Sequence, residues 1–127
     1  MTDADDEHHP LYLKGIELFN ACEFFEAHEA WEELWQEHFG PSRKFYQGLI
    51  QAAVALHHFG NGNLRGAKKV FYGSMGYLEP YRPVHQGLDL DKFATDMKRC
   101  FADVVASQEE YPQVELVADL IPEIHLA

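Results

Sequence analysis

The chain has 127 residues, of which 21 are Asp or Glu and 10 are Lys or Arg, giving a formal net charge of −11 at pH 7. This length suits one domain that folds without disulfide bonds or a structural metal ion. The negative net charge disfavours nucleic-acid partners because it repels their phosphates. The two cysteines fit no CxxC pattern, and neither a signal peptide nor a bilayer-spanning apolar segment is evident. We therefore expect a reduced cytoplasmic protein with no disulfide framework and no membrane partner.

The first third of the chain predicts two helices behind an acidic tail. Residues 1–9 are polar and acidic without an apolar period, which predicts a disordered tail. Pro10 suits the first turn of a helix that runs to about Ala21. After a short break, a second helix is predicted from about Phe24 to Phe39, where Gly40-Pro41 ends it.

A helical hairpin is predicted next. Ser42 is the expected cap of a third helix that runs to about Phe59. A tight connection over residues 60–63 follows, in which Asn63 caps a fourth helix from Leu64 to about Tyr81.

The last third predicts a loop, one helix and a short terminal segment. Gly87 marks the loop, and Asp91 is the expected cap of a fifth helix over about Lys92 to Glu110. Residues 114–127 predict a short helix or turn. No alternating strand pattern is found, so residues 10–127 are predicted to be one all-α domain, a compact antiparallel bundle of four or five main helices plus a short C-terminal helical segment.

The second helix separates into an acidic face and an apolar arc. Four glutamates are predicted to be solvated, with Glu29 near the border: Glu26, Glu29, Glu33 and Glu37. His28 and Glu32 instead fall on the apolar arc, one turn apart, among Phe25, Trp35 and Phe39. These two side chains are therefore predicted to point inward.

An inward carboxylate needs a partner, because burying a bare charge is too costly. His28 and Glu32 can ligate a metal from i and i+4 positions, and a histidine beside a carboxylate can also transfer protons. The alternative is a buried hydrogen-bonded pair that only fixes helix packing. The sequence leaves both interpretations open.

The third helix offers partners for this pair. Gln47, Gln51 and His58 form a polar stripe on an otherwise apolar helix, and antiparallel packing can bring Gln51 or His58 near the pair. His57 is expected to pack elsewhere or to meet solvent. The predicted ligand-binding set is His28, Glu32, Gln51 and His58. The predicted metal ligands are His28, Glu32 and His58, with a divalent ion as the candidate cofactor.

Standard catalytic templates fit only in part. Residues 28–32 read HExxE, so the second histidine of the zinc-peptidase helix is missing and peptidase activity is disfavoured. The chain has no P-loop, GxGxxG or GxSxG motif. If the domain is a hydrolase, Glu29 is the candidate base. Cys100 is predicted to be a small buried hydrophobe.

Two blocks of sequence resemble a known family. Residues 19–35, with Glu-Ala-His-Glu, and residues 45–58, with Gly-Leu-Ile-Gln, closely resemble the domain of unknown function 309 family. The resemblance implies a small all-helical microbial domain with no established activity. Family sequences often have glycine where Cys22 stands. The resemblance marks these signature positions: Glu26, His28, Glu29, Glu32, Trp35, Gln51 and His58.

Two classes of function follow, and enzyme status stays open. The first is an internal polar site that binds a metal or small polar ligand. The second is a non-enzymatic interaction module in which an exposed surface of the fourth helix, with Lys68, Lys69, Tyr72 and Tyr77, meets a protein partner. Residues 41–90 carry six bases against two acids, unlike the acidic remainder. The excess of acidic residues is interpretable as adaptation to a high-salt cytoplasm. The sequence leaves the oligomeric state open.

Overall fold

The computed structural model describes residues 8–109 and 113–127. The prediction of an all-α fold is confirmed. The helices are α1 Pro10–Asn20, α2 Phe24–Glu37, α3 Arg43–Gly60, α4 Leu64–Leu78, α5 Leu90–Cys100 and α6 Ala102–Ala106. Short 3-10 turns form at Glu79–Tyr81 and Ala118–Leu120, and a hairpin joins strands β1 Val84–His85 and β2 Leu88–Asp89. Residues 1–7 of the tail predicted over residues 1–9, and the expected helix end at Glu110, lie outside the described residues.

The core is built by packing each of the first four helices on the next. Trp31 of α2 is fully buried, and its indole Nε1 donates a hydrogen bond to the Tyr12 carbonyl oxygen at 3.1 Å. Gly15 makes room for that ring, because a Cβ there would overlap the indole. Helix α3 is the central element, since ten of its residues are buried. In the described part of the chain, no helix is long and apolar enough to cross a membrane.

The turns after α1 and α3 share one geometry. Cys22 has φ 61° and Gly62 has φ 81°, and both stand where the chain leaves a helix. In each turn the next residue's N–H reaches back to a helix carbonyl, from Glu23 to Leu18 and from Asn63 to His58, both at 2.9 Å. This is the Schellman arrangement, which favours glycine at the left-handed position. Cys22 therefore adopts the conformation that a glycine would favour.

Two of the predicted caps differ in the structure. Asn63 caps α4 as expected, its side-chain oxygen accepting from the Gly66 N–H at 3.1 Å. Ser42 makes no capping bond to α3, because its hydroxyl bonds to the hairpin instead. Helix α5 begins at Leu90 and is capped by Asp89, which accepts from the Lys92 N–H at 3.0 Å. Asp91, the predicted cap, is bound instead by the Arg82 guanidinium at 2.7 Å.

The hairpin at residues 84–89 replaces the expected loop. Each strand has only two residues, which is too short for an alternating pattern to appear in the sequence. The turn residues Gln86 and Gly87 have φ 49° and 76°, as the tight hairpin turn with two left-handed residues requires. The predicted fifth helix is also interrupted at Phe101, so it becomes α5 and the short α6.

The C-terminal segment is hydrogen-bonded to the last residue of α1. The Asn20 side-chain amide donates to the Ile124 carbonyl and accepts from the Ile124 N–H, both at 2.8 Å. Ile124 itself is buried. Cys100 is buried as predicted, and burial raises the pKa of its thiol to about 11.

Candidate functional site

His28 lies at the edge of α2, not in its core. Its Nδ1 lies 3.1 Å from the Phe25 carbonyl oxygen, and its Nε2 lies 3.7 Å from a carboxylate oxygen of Glu32. The His28 side chain is 20% exposed, whereas that of Glu32 is 46% exposed. The prediction that Glu32 points inward is therefore wrong. Solvent reaches its carboxylate, so no buried partner is needed.

The buried face of α2 is narrower than the apolar arc predicted from the sequence for this helix. Four residues at spacings of three and four form it: Phe24, Ala27, Trp31 and Leu34. His28 and Glu32 border that face, next to Phe25, which is 47% exposed. Phe39 lies beyond the end of the helix and is 79% exposed, so its predicted place on the apolar arc of that helix is also wrong. The four glutamates predicted to be solvated are all exposed.

A cavity of about 270 Å³ opens between α2 and α3 beside His28. We call it the histidine cleft, and its lining residues are Phe25, His28, Val54, His57 and His58. The Phe25 ring centroid lies 5.3 Å from that of His28 and 5.5 Å from that of His57, so it links the two helices at the rim. The volume is near the lower end for small-molecule sites.

Hydrogen bonds fix how the three imidazoles present their nitrogens. The Phe25 carbonyl only accepts, so His28 Nδ1 carries the proton and donates to it. The Asn61 amide nitrogen donates to His57 Nε2 at 3.2 Å, and the Asn63 amide nitrogen donates to His58 Nδ1 at 3.4 Å. In the neutral rings this leaves His28 Nε2 as an acceptor. It also leaves the other ring N–H of His57 and of His58 as donors.

Gln51 does not reach the cleft. Its side-chain oxygen is buried against Gly73 of α4, where a Cβ would collide with it. Among the described residues this oxygen has no hydrogen-bond partner. The predicted set of four is therefore split, because only His28 and His58 line the cleft. Glu29 is exposed and is not among the lining residues.

The predicted metal site is not assembled. Within residues 8–109 and 113–127, no group of three or more His, Cys, Asp or Glu side chains is placed to hold a metal ion. His28, Glu32 and His58 therefore do not converge on a common point, because Glu32 extends towards solvent. The three histidines of the cleft likewise form no such group.

Three residues that line the cleft are absent from the ligand-binding set predicted from the sequence: Phe25, Val54 and His57. His57 stands about 100° around α3 from His58, which made it look remote. The sequence nevertheless contains a signal for them, because residues three or four apart are neighbours on a helix surface. Val54 precedes His57 by three residues and His58 by four, and Phe25 precedes His28 by three.

A second polar cluster, which we call the hairpin network, ties β1 and its turn to α1 and α3. The Ser42 hydroxyl lies 2.8 Å from His85 Nε2, and the Gln86 amide donates to Ser42 Oγ at 3.1 Å and to the Tyr46 hydroxyl at 2.8 Å. The Tyr12 hydroxyl donates to the Gln86 carbonyl at 3.0 Å. Burial lowers the pKa of His85. Burial, with a smaller effect from Tyr46, raises the pKa of Tyr12.

The fold and the cleft define a small all-α domain with a cavity between two of its helices. Residues 12–70 match the model of the family described as Domain of unknown function (DUF309), so the resemblance seen in the sequence is confirmed over that segment. All five cleft residues lie within this segment.

Two relatives are described as uncharacterized proteins. The chain is 37% identical over 82 residues to the uncharacterized protein YpuF of Bacillus subtilis (strain 168), an alignment that covers 63% of this chain and 47% of the relative. It is 42% identical over 53 residues to an uncharacterized protein of Aquifex aeolicus (strain VF5), covering 41% of this chain and 16% of that protein. The chain thus spans about half of the first relative and much less of the second.

Proposed function

We propose that the histidine cleft binds a small, neutral, planar aromatic molecule that carries both a hydrogen-bond donor and an acceptor. The observation that supports this most is the set of three imidazoles around one cavity, each with a ring nitrogen left over from its local hydrogen bond. The proposal concerns binding and not hydrolysis, because Glu29, the candidate base, does not line the cleft.

The walls favour an aromatic ligand. Phe25 is nearly half exposed, and Val54 is only partly buried. A flat ring placed between them removes apolar surface from water at about 25 cal/mol per Å². Ring-on-ring packing against Phe25 or His57 adds to this, since aromatic pairs are favourable beyond the area they bury.

The polar groups favour a neutral ligand. The cleft offers one acceptor, His28 Nε2, and two donors on His57 and His58, so a ligand edge with both functions can be satisfied. A carboxylate ligand would approach the Glu32 carboxylate, which lies 3.7 Å from His28. It would also meet the overall charge of −11. Both effects oppose anion binding.

The divalent-metal alternative is less well supported. Stable zinc sites have at least three protein ligands. The described residues assemble no such group at the cleft or elsewhere. A small organic ligand needs no fixed coordination geometry, and the apolar walls suit it better than they suit an ion.

Benzamide tests the proposal directly, because it has one aromatic ring and an amide with a donor and an acceptor. Calorimetric titration is expected to give a dissociation constant on the order of millimolar, as for other fragments of this size. Val54→Trp fills the cavity and should abolish binding. The matched control is Leu13→Trp, on the exposed surface of α1, which should bind as the parent does.

Benzoate and Zn²⁺ complete the test. Benzoate has nearly the same shape but is anionic, and it is expected to bind more weakly than benzamide. Absence of benzamide binding, or equal binding by Val54→Trp, would contradict the proposal. Binding of Zn²⁺ that depends on His28, in protein that does not bind benzamide, would replace it with the metal-site hypothesis.

A further inference from the structure

A second concave surface lies between α4 and the end of α6. We call it the basic groove. Its volume is about 480 Å³, larger than the histidine cleft, and it shares no lining residue with the cleft. Three cations of α4 line one side, namely Arg65 and, one turn further on, the adjacent Lys68 and Lys69, and residues 107–109 line the other.

The charge of this groove differs from that of the rest of the chain. Helix α4 contains no acidic residue. Among the described residues, none of Arg65, Lys68 and Lys69 has a carboxylate within salt-bridge distance, although Arg82 and Lys92 are both paired at 2.7 Å. Among the described residues that line the groove, Glu109 is the one acidic residue. Three cations thus concentrate on one face of a chain whose net charge is −11.

The groove also has an apolar component. Leu64 and Val104 lie at its base and are almost fully buried, at 4% and 2% exposure. Tyr72 stands at the rim with 52% of its surface exposed, and its ring packs on Phe71 at a centroid distance of 5.6 Å. An exposed tyrosine beside cations is a common anchor in protein interfaces, because it offers a large rigid surface and a polar tip.

We infer that the basic groove docks a short acidic peptide segment of a protein partner, with its carboxylates on Arg65, Lys68 and Lys69 and an apolar side chain against Tyr72. Charge complementarity selects this occupant. A nucleic acid is the weaker candidate, because its regularly charged backbone would continue from the three cations onto acidic surface. A peptide can confine its negative charges to the groove.

The probe is a fluorescein-labelled synthetic peptide that alternates glutamate with leucine, measured by fluorescence anisotropy on the full chain. The double variant Lys68→Glu/Lys69→Glu is expected to weaken binding by about tenfold or more. The matched control is Lys44→Glu/Lys98→Glu, which makes the same charge change at exposed positions outside the groove. Its expected effect is less than about threefold, from the altered net charge alone.

Two further measurements separate the apolar and ionic parts. Tyr72→Ala should weaken binding by about fivefold at unchanged salt dependence. A peptide with glutamine in place of glutamate should not bind measurably, and salt should weaken the binding of the acidic peptide.

Three results would overturn the inference. The first is equal loss in the groove and control double variants. The second is undiminished binding of the glutamine peptide. The third is a single-stranded DNA oligonucleotide that binds more tightly than the peptide with the same dependence on Lys68 and Lys69, which would make the groove a nucleic-acid site.

Discussion

Two groups of polar side chains lie near opposite ends of α3, and they use their hydrogen bonds differently. In the hairpin network, Ser42, Tyr46 and Tyr12 bond to β1 and its turn across 40 to 74 residues of sequence. In the histidine cleft, each imidazole bonds to a group only three to five residues away. The network therefore holds the tertiary structure together, whereas the cleft keeps ring nitrogens available to a ligand.

The largest expected effect comes from removing the centre of the network. Gln86→Ala deletes the amide that donates to Ser42 and to Tyr46, and it should lower the free energy of unfolding by about 2 kcal/mol, at about 1 kcal/mol for each bond. Gln86 has a left-handed backbone conformation, and alanine is strained there as glutamine is. The variant therefore reports the loss of the side-chain hydrogen bonds and not a change in backbone strain. Urea denaturation measures the change.

The control for this prediction is Gln36→Ala on the exposed face of α2, which should alter the free energy of unfolding by less than about 0.5 kcal/mol. If the two glutamine variants are equally stable, the hairpin network does not hold the fold together and the comparison fails.

A smaller loss is expected when one bond of the network is removed. Tyr12→Phe deletes the hydroxyl that donates to the Gln86 carbonyl but keeps the fully buried ring, so the expected cost is about 1 kcal/mol. Thermal and urea unfolding measure it. Tyr72→Phe, which removes an exposed hydroxyl, should leave stability unchanged, and an equal loss in both variants would contradict the account.

Substitution in the histidine cleft should affect ligand binding and leave stability nearly unchanged. Within the described part of the chain, the one side-chain hydrogen bond of His57 is to the nearby Asn61, so we expect His57→Ala to change stability by no more than about 0.5 kcal/mol. The same variant should lose benzamide binding, because it removes a wall and a donor. A loss of stability as large as that of Gln86→Ala, with binding intact, would show that the histidines are structural.

The smallest effect is a pH dependence carried by His85. Burial lowers its pKa in the folded protein below the unfolded value of 6.5, so the neutral ring is favoured by folding. The resulting stabilisation is complete above 6.5 and declines as the pH falls below it, because the unfolded chain then binds the proton more readily. Ser42, Phe45 and Tyr81 surround the ring, and none adds a charge near neutral pH.

Unfolding in urea one pH unit above and one below 6.5 measures this contribution. His85→Gln should reduce the loss of stability on acidification. His125→Gln, at an exposed position, should leave that loss unchanged. An identical acid response in the parent and in His85→Gln would show that burial of His85 does not affect folding near neutral pH.

The sequence predicted the helices well where local signals decide the structure. The apolar periodicity located α1 to α4, and the turn around Gly62 with its Asn63 cap was read from local chemistry. The hairpin was missed because two-residue strands carry no period. The sequence predicts Asp91 as a cap because it does not reveal that Arg82 binds this carboxylate.

The candidate site was predicted only in part, because its missing features depend on how helices pack. Gln51 turns away from the cleft because Gly73 of α4 leaves space for its side chain, and α4 is distant in sequence. His57 lines the cleft together with His58, although the two side chains point in directions about 100° apart around α3, because the cavity is wide enough to contact both. Helix periodicity assigns a face, but it does not give the width of the gap between two helices.

The most direct test of the contrast between the two clusters is an NMR titration of the histidine rings with benzamide. We expect saturable shifts of the ring nitrogen and carbon signals of His28, His57 and His58, with one apparent affinity, and no shift at His85. Shifts at His85 of the same size, or no saturable shift at the three cleft histidines, would contradict this contrast.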